Sequence, residues 1–431
     1  MLSPIRKIFY SVPARDSRIV LENFISLSSL QAINYLLPAL LFPYLFRVLG
    51  PAKFGLIFFA QSFVQYFVIL TDYGFNLSAS REIALCRDRK SKMCEIFSSV
   101  MTVKLLLALA AFVIMCATVR FVPRFRADWQ VYVFSFGAVL GNTLFPVWFF
   151  QGTEKMKYTA VLQIFAGILM TICLFIFVRS PSDYLLVPLI YSAVWLVSGI
   201  SGLYLAFSKF EMNFVLQTYP DIKEQLRAGW AVFSSTVAVN TYTATRIFAV
   251  GLLTNNTLTG YFAIAEKIAA MIQAFPMASF SQAVYPRLSR IYLKNKNRAL
   301  KLMYKAQDLT SLGFTISVPI IFALAPFLIR IVCGAAYPEA ILTLRLLLAA
   351  VLFVGANAFK IQFLLVSGRA DTYARIHVTM ALAGLLALFV LIGLVSYPGA
   401  AVAAVLIEAG VFLWTDHAMR DVHHRANLLG P

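Results

Sequence analysis

Long apolar runs, continuous rather than alternating, dominate the chain, and short polar segments rich in Lys and Arg separate them. A hydrocarbon core about 30 Å thick takes about 20 mostly apolar residues per helix. By that measure the pattern predicts twelve spans, at 20–46, 54–79, 96–119, 130–151, 158–178, 185–207, 226–252, 258–284, 307–329, 341–366, 373–396 and 399–419. A membrane β-barrel would alternate apolar and polar positions, which these runs do not.

The longest mid-chain polar stretch, Lys209 to Arg227, parts helices 1–6 from helices 7–12. The predicted organisation is therefore an N-terminal bundle over 1–208 and a C-terminal bundle over 209–431. An internal echo supports the division: Gly55-Leu-Ile-Phe-Phe-Ala60-Gln61 parallels Gly260-Tyr-Phe-Ala-Ile-Ala265-Glu266. Both segments follow a short turn, and both helices run to a basic end, at Arg81 and Arg287. Two parallel bundles related by an axis along the membrane normal would enclose a cavity. The expected fold class is all-α integral membrane, about twelve transmembrane helices in two six-helix bundles around a central cavity.

Composition changes the picture only by naming the solvent. The chain is 60% hydrophobic and 13% charged, with mean hydropathy +0.79, so lipid faces most of its surface. The net charge of +18 comes with no nucleic-acid module, and no nucleic acid is expected as a partner. Its Lys and Arg instead sort by side. With the N-terminus inside, inner segments carry Arg6, Lys7, Arg15 and Arg18, the Arg81–Lys92 cluster, Lys155, Lys157, Lys209, Lys223, Arg227, the Arg287–Lys305 cluster, Arg369, Arg375, Arg420 and Arg425. Outer segments carry Arg47, Lys53, Arg120, Arg124, Arg126, Arg179, Arg330 and Arg345. This asymmetry puts both termini of a multi-pass membrane protein in the cytoplasm.

The outer loops are short, the longest near Arg120 to Asp128, which leaves little room for an extracytoplasmic catalytic domain. The five cysteines are scattered without CxxC spacing and read as small apolar filler. No histidine pair has metal-ligand spacing and no Walker A pattern occurs. Neither a metal nor any other cofactor is expected, and the chain does not read as an enzyme.

Candidate chemistry lies in the ionisable residues inside the spans, each costing about 2.5–3.5 kcal/mol at mid-bilayer on insertion scales. These are Asp72, Lys104, Arg246, Glu266, Lys267, Lys360 and Glu408. Gln61, Gln65, Asp72 and Asn76 fall on one stripe of helix 2, facing either a wet cavity or another helix. Helix 7 has a polar middle from Asn240 through Tyr242 to Arg246. Arg246 reads as a cavity cation, with an ion pair to Glu266 or Asp72 as the structural alternative. Glu266 and Lys267 lie about 100° apart on helix 8 and must face different partners. Lys104 is expected to snorkel, and Asp416 and His417 to sit at the interface. Trp148-Phe149-Phe150 reads as lipid-facing or packing. A basic cavity lined by Arg246, Lys267, Lys360, Asn240, Gln61 and Gln65 would suit an anionic, phosphate-bearing cargo. Glu266, Asp72 and Glu408 are the candidate carboxylates for coupling to an ion.

Gly50-Pro51-Ala-Lys-Phe54-Gly55, Asp72-Tyr-Gly74-Phe-Asn76-Leu-Ser-Ala-Ser80-Arg81-Glu82-Ile83, Gly260-Tyr261-Phe262 with Ala265-Glu266-Lys267-Ile268, and Tyr285-Pro286-Arg287-Leu288-Ser289 resemble the polysaccharide transporter family. This family comprises O-antigen and related flippases of the multidrug/oligosaccharidyl-lipid/polysaccharide exporter superfamily. The resemblance implies two bundles, alternating access, cavity cations, and a cargo of undecaprenyl-diphosphate-linked oligosaccharide. The expected partners are that lipid-linked oligosaccharide and the bilayer, with a polysaccharide polymerase and other assembly proteins acting on the same glycan. A drug or metabolite exporter or a peptidoglycan-precursor flippase of the same superfamily is the alternative. A membrane glycan polymerase fits less well, for want of a large outer loop. Each sugar hydroxyl moved through hydrocarbon unpartnered costs several kcal/mol, about 4–8 on the cyclohexane scale, so such a headgroup does not cross unaided.

Overall fold

The computed structural model describes the backbone of residues 14–428, and their side chains except at 14–29, 31–32, 231, 235–236, 238–243, 275–276, 278–283, 286 and 421–428. Among these residues every regular element is helical. The first helical stretch, Ala14–Asp72, breaks at Gly50, whose φ of 73° suits a residue without Cβ, leaving α1 over 14–49 and α2 over 51–72. There follow α3 (Ser78–Leu85), α4 (Lys90–Phe121), α5 (Trp129–Leu144), α6 (Val147–Gly152), α7 (Met156–Phe177) and α8 (Leu186–Ser208). The later helices are α9 (Tyr219–Leu253), α10 (Asn256–Lys294), α11 (Lys296–Cys333), α12 (Pro338–Val366), α13 (Ala370–Val395) and α14 (Pro398–Leu428).

Local chemistry explains several of these ends. Asn255 and Asn295 accept from the Leu258 and Arg298 amides (2.9 and 2.8 Å), the N-caps that start α10 and α11. Pro338 opens α12, where the missing N–H is harmless. Among the described residues nine helices are long and apolar enough to span a membrane. One of them, Ile33–Asp72, contains the Gly50 break and so holds parts of two predicted spans. The spans predicted at 226–252 and 258–284 fall on α9 and α10, whose middles include side chains outside the described set.

Two spans differ from the sequence pattern. The helix predicted at 54–79 stops at Asp72, because Tyr73 and Gly74 adopt φ of 42° and 76° and turn the chain before α3. Asn76 therefore leaves the helical stripe of Gln61, Gln65 and Asp72. The span predicted at 130–151 is broken at Phe145-Pro146, between α5 and α6, since Pro146 lacks the N–H that would continue the ladder.

The helices pack into two compact units. The first comprises the chain up to Leu41 with Phe63–Thr236, the second Phe42–Ser62 with the chain from Val237 onward. The first unit is centred on Phe97, Trp148, Phe149 and Phe150, all fully buried, so the aromatic run at 148–150 serves packing. Its α5 and α8 approach through small residues: Gly137 meets Ser192, and Gly141 meets the Trp195 backbone and Gly199. The second unit has a core of Phe359, Phe363, Leu300 and Ile407 joining α11, α12 and α14.

Within the second unit the two echoed segments touch each other. A Cβ on Gly55 would run into the Asn256 carbonyl and the Gly260 amide, and one on Gly260 would run into the Pro51 carbonyl. The obstacles are backbone atoms, which cannot rotate away. Phe46 packs alongside, with its ring 6.5 Å from Tyr261 and 5.7 Å from Tyr337. Gly55→Ala and Gly260→Ala should each destabilise the purified protein by about 2 kcal/mol or more through overpacking. Gly313→Ala, with nothing within 4 Å of the added methyl, should be neutral or stabilising. Thermal unfolding in detergent reads both, and equal melting of all three variants would refute the close approach.

Candidate functional site

Among the described residues, six of the seven ionisable residues predicted within spans fall into three separate groups, Glu408 apart. In the second unit, Arg246 near the end of α9 sets its Nε 2.8 Å from Glu266 Oε1 on α10. The pair is largely buried, at 18% and 12% side-chain exposure. Its N–H direction misses hydrogen-bond alignment, and Glu266 Oε2 has no hydrogen-bond partner among the described residues. The contact is thus chiefly electrostatic. Of the two readings left open for Arg246, the ion pair to Glu266 is the arrangement found.

Lys267, one residue on, turns away as the helical offset requires. Its Nζ lies 5.8 and 5.5 Å from the Phe42 and Phe58 ring centroids. Those rings stack edge to face at 5.4 Å, and their negative faces offer a cation partial compensation. No carboxylate lies within 4 Å of this ammonium among the described residues, although Glu266 and Arg246 remain within electrostatic range. Two cations and one carboxylate therefore stand together, with one positive charge over.

The second group ties α12 to α14. Lys360 Nζ donates to Asp416 Oδ1 at 2.7 Å and lies 4.8 Å from the Phe412 ring centroid. Arg420 bonds the other carboxylate oxygen at 3.1 Å. One turn before Lys360, buried Asn357 donates to Thr415 Oγ1 at 3.3 Å. Gln307 of α11 splices into α12 beside Lys360: its Nε2 donates to the Gly355 carbonyl at 2.7 Å, and its Oε1 accepts from the Phe359 amide at 2.9 Å. Those two groups are the i and i+4 partners of the α-helical ladder, so Gln307 bonds both ends of one turn of α12. The sequence pattern placed Asp416 at the interface and did not single out Gln307. Asp416 could be noticed as a polar residue at the end of an apolar stretch, whereas Gln307, between Lys305 and Asp308, carried no such signal.

The third group lies in the first unit. Lys104 is 2% exposed and its Nζ sits 3.2 Å from Asp72 Oδ1 and 3.3 Å from the Asn142 carbonyl. Asn142 Nδ2 donates to the same Asp72 oxygen at 2.9 Å. Lys104 thus does not snorkel. It is anchored where α2 ends, and Asp72 is occupied by a structural pair at the Tyr73-Gly74 turn.

Of the remaining sequence-predicted residues, Gln61 is half-buried and Gln65 exposed on α2, and Glu408 is half-buried on α14. Asn240 lies outside the residues whose side chains are described. No group of three or more His, Cys, Asp or Glu able to hold a metal ion occurs among the described residues.

The fold is that of a multi-helix membrane transporter. It matches a lipid II flippase, MurJ in an inward closed conformation, with TM-score 0.71 at 12% identity over 93% of this chain and 87% of that one. It also matches an inward-facing multidrug resistance MATE family transporter, with TM-score 0.70 at 13% identity over 93% and 99%. Residues 20–292 match the family described as polysaccharide biosynthesis protein, and the chain belongs to that family. A protein of Escherichia coli (strain K12) named "Putative O-antigen transporter" is 31% identical over 390 residues, 90% of this chain and 93% of its own. One of the same name from Shigella dysenteriae is 26% identical over 93% and 100%.

Removing one member of a buried ion pair strands the other at about 3–5 kcal/mol, whereas replacing both with apolar groups is near neutral. Arg246→Met should therefore lower the thermal stability of the detergent-solubilised protein markedly. Arg246→Met combined with Glu266→Met should recover most of it. Additive losses in the double variant would rule the pair out.

Proposed function

We propose that the chain is a flippase translocating undecaprenyl-diphosphate-linked oligosaccharide, the O-antigen or another surface-polysaccharide repeat unit, across the inner membrane by alternating access. Both termini lie in the cytoplasm, and six helices on each side of residue 208 form the repeated unit. The observation that carries the reading is Lys267, a half-buried ammonium on α10 faced by aromatic rings without a carboxylate within 4 Å among the described residues. A diphosphate entering beside it gains a charge-assisted bond that water no longer supplies, and the surplus positive charge of the Arg246–Glu266–Lys267 group is of the sign that retains it. The family and the relatives' names support a glycan cargo.

Arg246 and Lys360 contribute in this scheme as exchangeable cations, each able to trade its carboxylate for a phosphate oxygen. Asn240, Gln61 and Gln65 offer hydrogen bonds to sugar hydroxyls. Glu266, freed from Arg246, is then the strongest coupling carboxylate. Glu408 is the second, and Asp72 the least apt because Lys104 and Asn142 hold it.

In cells deleted for the gene, lipid-linked glycan should remain on the inner leaflet, and outer-leaflet glycan at normal levels would end the flippase reading. Lys267→Met loses a charge-assisted interaction of about 1.5–3 kcal/mol. It should therefore cut complementation by about tenfold or more, while the protein still accumulates in the membrane. Lys267→Arg should retain substantial export. Full export by Lys267→Met would remove this residue from the site.

A further inference from the structure

The connector between α8 and α9 is not a free tether. The Asn213 amide donates to Cys94 Sγ (3.4 Å), the Val215 amide to Ser98 Oγ (2.9 Å), and Ser99 bonds Gln217, so residues 213–217 lie as a strap along the start of α4. Lys209 to Arg227 is the longest mid-chain polar stretch, yet it opens with Phe210, Met212, Phe214, Val215, Leu216 and Tyr219. Two of these serve the core of the first unit: Met212 is buried in it, and the Phe210 ring lies 5.3 Å from Phe149. The other four are exposed, Phe214 at 52%, Leu216 at 90% and Tyr219 at 76% among them.

What those side chains face follows from the register of α4. At 100° per residue, positions 94, 98, 105, 109, 112 and 116 fall within about 60° of arc, on one stripe of the helix. Leu105, Leu109, Phe112 and Cys116 are exposed along it, as the lipid-facing residues of a spanning helix are. Cys94 and Ser98 are buried, and the strap is what bonds them. The strap therefore continues the lipid-facing side of α4 toward its Lys90 end. The exposed stripe of α8, Val197, Ile200, Tyr204 and Phe207, arrives at the same place, with the Phe207 ring 5.7 Å from Phe97 of α4. Depth agrees. With one hydrocarbon edge at Arg120, the other falls about 20 residues back, near Met101. Ser98 and Ser99 then lie about 3–5 Å beyond that edge at 1.5 Å per residue, in the headgroup layer.

We propose that residues 213–219 are an interfacial membrane anchor, with Phe214, Leu216 and Tyr219 seated between the phospholipid headgroups and the first acyl methylenes. Phospholipid is the occupant of this apolar face because the face prolongs two lipid-facing helix stripes at the depth of the headgroup layer. Aromatic rings, and a phenol with one apolar and one wet end above all, favour that layer. The neighbouring acids are already engaged: Asp221 caps α9 by accepting from the Thr218 amide and hydroxyl at 2.9 and 2.6 Å, and Glu211 pairs with Lys90. The anchor ties the start of α9 to the membrane surface, whatever cargo the protein moves.

The test puts the photo-reactive residue p-benzoylphenylalanine in place of Leu216 in the full-length protein, reconstituted in vesicles of phosphatidylethanolamine and phosphatidylglycerol. The same residue in place of Leu109, exposed in the middle of α4, serves as the reference for lipid contact. Both positions are exposed, so neither replacement disturbs the core. On irradiation, position 216 should yield phospholipid adducts as abundantly as position 109. Its attachment should fall on the glycerol or the first acyl methylenes, whereas that from position 109 falls deeper along the chain. Cross-linking from position 216 chiefly to a second copy of the protein would make this face a protein interface and overturn the proposal. So would the loss of lipid adducts at 216 while 109 still gives them, or attachment from 216 as deep as from 109.

Discussion

Inside hydrocarbon an ionised side chain has no water to turn to, so each one must find an opposite charge, a polarisable face or a wet surface, and the helices must be arranged to supply it. This constraint organises the membrane interior here. Asp72 and Lys104 neutralise each other where α2 gives way to a turn. Lys360 and Asp416 do so between α12 and α14. Arg246 and Glu266 do so between α9 and α10. Each of the three pairs joins two different helices, so the ions act as interhelical ties in a medium where apolar contact alone confers little preference between neighbours.

Neutralisation explains why polar residues cluster around each pair. A carboxylate accepts more hydrogen bonds than one ammonium can give it: Asn142 adds a second bond to the Asp72 oxygen that Lys104 meets, and Arg420 bonds the second oxygen of Asp416. Gln307 does comparable work for backbone, bonding the Gly355 carbonyl and the Phe359 amide of α12 beside Lys360. Glu266 is the exception, with one oxygen unmet among the described residues. A pair that is incompletely satisfied is the one most readily exchanged for a competing anion.

Much of the architecture was legible because hydropathy and helical geometry act locally. The apolar runs mark helices, and the 100° step between Glu266 and Lys267 forces them onto different partners, as found. What stayed hidden depends on distant residues or on backbone torsion. Nothing near Lys104 in sequence announces Asp72 or Asn142, so its proximity to a helix end suggested snorkelling, whereas the fold buries it. Asp416 looked interfacial for the same reason, since its partner is 56 residues away. The end of α2 was hidden differently. Tyr73 takes a left-handed torsion that non-glycine residues seldom adopt, and the apolar residues around it kept hydropathy high across the turn. The echo between Gly55 and Gly260 was visible as a pattern, but the sequence alone could not say that the copies touch. Only the backbone contact reveals why both positions lack a side chain.

The difference between Lys267 and the other buried cations then becomes a question of what aromatic rings can and cannot do. A ring face attracts an ammonium by about 0.5–2 kcal/mol, well short of what an opposite charge provides at contact distance in a medium of low dielectric constant. Phe42 and Phe58 can therefore hold the Lys267 ammonium in place without satisfying it, and the adjacent Glu266 is directed to Arg246 by the helical offset. Rings also resist forming a competing ion pair, because they carry no net charge to be separated from the lysine when an anion arrives. A carboxylate in their place would have to be displaced, and the exchange would recover only the difference between two ion pairs. An ammonium seated on rings, with no carboxylate within 4 Å among the described residues, would therefore leave an anion more of its electrostatic gain than a paired cation, which offers only an exchange. That asymmetry separates Lys267, faced by rings, from Lys104, Arg246 and Lys360, each already tied to a carboxylate.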